Sequence, residues 1–61
     1  MLPPTIGRPA TRALAVIGVT RLSDVARLTE RELLALHGVG PKAVRLLRAA
    51  LEARGLAFRQ G

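Results

Sequence analysis

The sequence predicts an all-α fold, a compact bundle of four to five short helices, and three observations carry that prediction. Apolar residues recur at spacings of three and four in two stretches, Ala10-Ala13-Leu14-Ile17 and Ala43-Val44-Leu47-Ala50-Leu51, which gathers each set on one side when every residue advances by ~100°. Each stretch opens at a proline, Pro9 or Pro41, and closes at a glycine, Gly18 or Gly55, the asymmetry that helix ends favour. No alternating pattern of the kind that builds half-buried strands occurs anywhere.

The elements follow in order. Residues 1–8 hold prolines and a glycine with little periodicity and are expected to form a flexible or extended lead-in. Pro9 starts the first helix, whose inward residues are Ala10, Ala13, Leu14 and Ile17, and Gly18 ends it as a left-handed cap. Ser23 is expected to cap a brief second helix running to about Leu28, with Asp24 in its first turn, where a negative charge meets the positive end of the helix dipole. Thr29-Glu30-Arg31-Glu32 reads as a capping box, since the hydroxyl and the carboxylate three residues apart can satisfy each other's backbone amides. The third helix begins there and carries Leu33, Leu34 and Leu36 inward. Pro41 to about Arg54 forms the last helix, after which Leu56 and Phe58 fold back onto the core. The domain is thus expected over residues 9–58, with 59–61 a tail.

A chain of 61 residues is one small domain near the lower limit for folding on packing alone. It has no cysteine and a single histidine, so disulfides, thiolate sites and a histidine-built metal centre are excluded, and no cofactor is expected. The four carboxylates are scattered over capping and surface positions, and Ser23 with Asp24 is explained by capping; no catalytic residue is assigned and the protein is read as a non-enzyme. No segment approaches the ~20 apolar residues that cross a bilayer, so no membrane partner is expected and the location is read as cytoplasmic.

Ten Lys and Arg against four Asp and Glu give a net charge of +6, which favours a polyanionic partner. Phe58 is the only aromatic residue, which argues against the stacking platforms that hold single strands and toward duplex DNA. Leu36-His37-Gly38-Val39-Gly40-Pro41-Lys42-Ala43-Val44 reads as a tight glycine turn opening into a basic helix. The glycines admit close approach of another backbone, and the main-chain amides after Gly38 and Gly40, at the positive end of the Pro41 helix, are expected to hold a phosphate. Lys42 and Arg45 reinforce that grip, while Arg8, Arg12, His37 and Arg48 are secondary contacts. A weaker echo, Gly18-Val19-Thr20, has threonine where the later turn has Gly40; it is expected to be structural, and the later turn to bind.

At these residues the chain resembles the helix-hairpin-helix family of DNA-binding domains, on the match of Gly38-Val39-Gly40-Pro41-Lys42 to its hairpin. From about Ile6 to Phe58 the order of helices is also similar to the C-terminal domain of the bacterial RNA polymerase alpha subunit, which implies a helix-hairpin-helix motif in a SAM-domain-like bundle. The resemblance implies binding to the DNA backbone around the minor groove, a role in transcription and association with the nucleoid. Within it, Gly40 and Lys42 correspond to the hairpin glycine and the phosphate-binding lysine. The chain departs from it in having Pro9 in place of the groove-entering arginine, Arg12 in place of an asparagine and Ala43 in place of a serine; Arg8 and Arg12 flank the missing arginine. A free-standing relative, without the polymerase-assembly domain of a whole alpha subunit, is expected.

The expected function is duplex DNA binding with little or no sequence specificity, through backbone contacts at Gly38, Val39, Gly40, Lys42, Ala43 and Arg45. The alternative is a protein-interaction module for RNA polymerase or another DNA-associated partner. Structured RNA is a third reading, and no small-molecule substrate is expected.

Overall fold

The computed structural model describes residues 2–60, and among these it is all-helical. A 3-10 turn, Pro4–Ile6, leads into four helices: α1 (Arg8–Val16), α2 (Leu22–Val25), α3 (Glu30–Leu34) and α4 (Pro41–Ala53). The radius of gyration is 10.0 Å, against about 10.5 Å for a fully packed chain of this length. Among the described residues no helix is long and apolar enough to cross a membrane.

Helix α4 is the centre of the bundle. It buries Ala43, Val44, Leu47 and Leu51, and the 3-10 turn, α2 and α3 all pack against it. Ala10, Leu14, Val25 and Leu33 from the other elements are buried with it. The expected lead-in is therefore part of the fold over its described residues: Ile6 is buried in the core, and Pro4 at the start of the turn fits a position whose amide would have no partner. Helix α1 begins at Arg8, one residue before Pro9.

Helices α1 and α4 end alike, at Gly18 (φ +79) and Gly55 (φ +71). In each, the residue after the glycine donates back to the carbonyl five positions earlier, Val19 to Leu14 and Leu56 to Leu51, both at 2.8 Å, and places its own side chain against the core. This closure corrects one inward assignment. Ile17 leaves helical geometry as the C-cap and is 46% exposed, while Val19 takes the buried place. Leu34 is also 46% exposed, because α3 is barely longer than one turn and Leu33 and Leu36 fill its inward side.

Ser23 does not cap α2. Arg21 occupies that position without a side-chain bond, and Ser23 lies inside the helix, which ends at Val25 and continues to Leu28 only as turns. The capping box is present as expected: the Glu32 amide donates to the Thr29 hydroxyl at 3.1 Å and the Thr29 amide to the Glu32 carboxylate at 2.8 Å.

Arg59 is held rather than loose. The Arg59 amide donates to the Leu28 carbonyl at 2.9 Å, its Nε to the Arg27 carbonyl at 3.0 Å, and its guanidinium to Glu32 Oε1 at 3.0 Å. The expected tail at 59–61 is thus fixed at Arg59 to the α2–α3 link; Gly61 lies outside the described residues.

Candidate nucleic-acid interface

The turn between α3 and α4 is built by one bond and one glycine. The Val39 amide donates to the Leu36 carbonyl at 3.2 Å, and Gly38, third of the four residues so closed, has φ +97, a conformation that β-turns of this kind give to glycine. Val39 is buried and pins the turn to the core. Gly40 then enters α4 in an extended conformation (φ −110, ψ 179) that any residue adopts.

The two glycines have different reasons to be there. A Cβ on Gly38 would lie 2.9 Å from the Pro9 carbonyl oxygen, so the backbone that approaches it is the start of α1. A Cβ on Gly40 would meet nothing within 4 Å. Neither conformation nor packing asks for glycine at position 40, and the space beside it is open to another molecule.

The donors at this end also differ from those expected. Val39's amide is used inside the turn and Pro41 has none, so the residues directly after the two glycines offer no donor. The amides of Gly40, Lys42 and Ala43 have no acceptor among the described residues, no side chain caps the helix, and its first turn carries no acid. Helix α3 shows the contrast, since Thr29 caps it and Glu30 and Glu32 stand in its first turn. The start of α4 keeps its partial positive charge unneutralised. The Val39 and Ala43 side chains are in the core, so any contact by these residues is through main chain.

Lys42 and Arg45 are exposed and form no ion pair among the described residues. Arg48, expected as a secondary contact, pairs with Glu30 and lies over the Phe58 ring, 5.9 Å from the centroid. Glu30 borders the same shallow groove as Arg45, and Arg48 neutralises its carboxylate. Arg8, Arg12 and His37, distant in sequence, come together with Gly38 along one groove between α1 and the turn. Its apolar wall of Pro9, Ala13 and Val16 was not expected from the sequence; the signal was Arg8, Arg12 and Val16 at four-residue spacing on one helix face.

Glu32, away from this site, has its carboxyl held below the usual glutamate value, first by the Thr29 amide and then by Arg59. No cluster of potential metal ligands occurs among the described residues. No protein-family model, curated protein or solved structure matches the chain.

Proposed function

We propose that this protein is a helix-hairpin-helix domain, similar to the C-terminal domain of the bacterial polymerase alpha subunit, that binds duplex DNA with little or no sequence preference. One observation carries the reading: the start of α4 combines unpartnered amides, no acid in its first turn and a Gly40 whose missing side chain leaves room for a ligand. A backbone phosphate suits such a site, with Lys42 and Arg45 beside it. Arg8, Arg12 and His37, across the turn, would meet a neighbouring phosphate or the groove edge. Contacts of this kind position a protein on the duplex without reading bases. A place in transcription follows from the resemblance alone.

The test is binding of labelled duplex, single strand and RNA at two salt concentrations by wild type and Lys42→Ala. Duplex should bind best, with a log-log salt slope of about −0.9 per phosphate neutralised. Lys42→Ala should weaken binding equally for all sequences and make the slope shallower by about one unit. A duplex affinity unchanged by salt or by Lys42→Ala would end the proposal. The second reading, a protein-interaction module, is favoured by Val16, a large apolar side chain 80% exposed on α1.

A further inference from the structure

Arg8, Arg12 and Val16 follow one another at intervals of four on α1, which stacks them along one side of the helix. The groove of about 440 Å³ beside them runs between α1 and the turn, with Pro9, Ala13 and Val16 as its aliphatic wall and Arg8, Arg12 and His37 as its polar members. No carboxylate lines it, and neither arginine is ion-paired among the described residues. The occupant must therefore bring two kinds of chemistry together. Phosphates alone would answer the arginines and leave the aliphatic wall in water, while a purely apolar segment would place itself against uncompensated guanidinium groups.

We propose that this groove docks an acidic peptide segment of another protein, whose carboxylates meet Arg8 and Arg12 and whose large apolar side chain covers Val16 and Ala13. Charge complementarity selects the acidic residues, and the uncovered Val16 selects the apolar anchor. A surface of this size supports a weak, exchanging contact. Because Arg8 and Arg12 would serve both ligands, peptide and duplex would exclude each other; this last step rests on the DNA reading above.

The experiment is a titration of the isotope-labelled protein, followed by its amide spectrum, with a short synthetic peptide of aspartates around one leucine and one phenylalanine. The control peptide has serine at both apolar positions. The first peptide should move the resonances of Arg12, Ala13, Val16 and Gly38, and the control should bind at least about tenfold more weakly. Val16→Ser, a change at an exposed site that leaves the folded spectrum intact, should weaken the first peptide about tenfold, and Lys42→Ala should leave it unchanged. Equal binding of both peptides, or an affinity unaltered by Val16→Ser, would overturn the proposal. The peptide titration contains no DNA, so failure of the duplex reading leaves its outcome interpretable.

Discussion

Gly38 and Pro9 meet so closely that a single added methyl on the glycine would press on the proline carbonyl at 2.9 Å. Through this contact the entry of α1 and the α3–α4 turn are held together, and Arg8 and Arg12 are brought beside His37. Gly38→Ala should destabilise the fold by about 1–3 kcal/mol from its positive φ alone, with the clash adding to it. Thermal unfolding should show a fall of at least several degrees.

Gly40→Val should behave in the opposite way. Its φ of −110 is ordinary and its Cβ direction is empty, so the variant should fold, with a melting temperature lowered only by the loss of a favoured N-cap residue, about 1 kcal/mol. Duplex affinity should nevertheless fall, because the branched side chain fills the space offered to a phosphate. Normal binding by folded Gly40→Val would remove the turn from the mechanism.

Arg45 and Arg48 are three residues apart on α4 and should respond differently to alanine. Arg45→Ala should lower duplex affinity and the salt slope, since its charge is uncommitted. Arg48→Ala should act mainly on the fold, by releasing Glu30 and uncovering Phe58. Parallel melting and binding curves would separate the two.

Glu32 gives the fold an acid dependence whose sign is fixed. Its carboxyl is held below its ordinary 4.5 in the folded protein, so ionisation stabilises the fold at higher pH, and that contribution is lost as pH falls through the depressed value. Glu32→Gln retains the reciprocal backbone bond but not the charge. It should melt lower than wild type at neutral pH, with the gap closing on acidification and shrinking in high salt.

Leu47 is fully buried on the central helix. Leu47→Ala should cost about 2–5 kcal/mol, comparable with the whole stability that a core of this size supplies. Circular dichroism should find most of the variant unfolded at room temperature.

What could be read from the sequence was set by range. The Thr29–Glu32 capping box, the Gly18 and Gly55 closures and the entry of α4 at Pro41 are settled within a few residues, and each stands where its local pattern placed it. Ile17 and Leu34 defeat the helical count because one lies just past its helix and the other on a helix too short to set a full face. At the candidate site, Lys42 and Arg45 could be placed beside the turn by adjacency alone. The committed state of Arg48, the Gly38–Pro9 approach and the grouping of Arg8 with His37 depend on packing between distant segments. The hold on Arg59 is of the same sort, joining it to a carboxylate 27 residues away.

That hold has a practical consequence for surface-based measurements. A group coupled to the Gln60 side chain leaves the molecule beside Thr29, Glu30 and Arg31, from a residue whose neighbour is already bolted to the body by three hydrogen bonds. A dye or linker joined there would sit one residue from that anchorage, on the face formed by Thr29, Glu30 and Arg31.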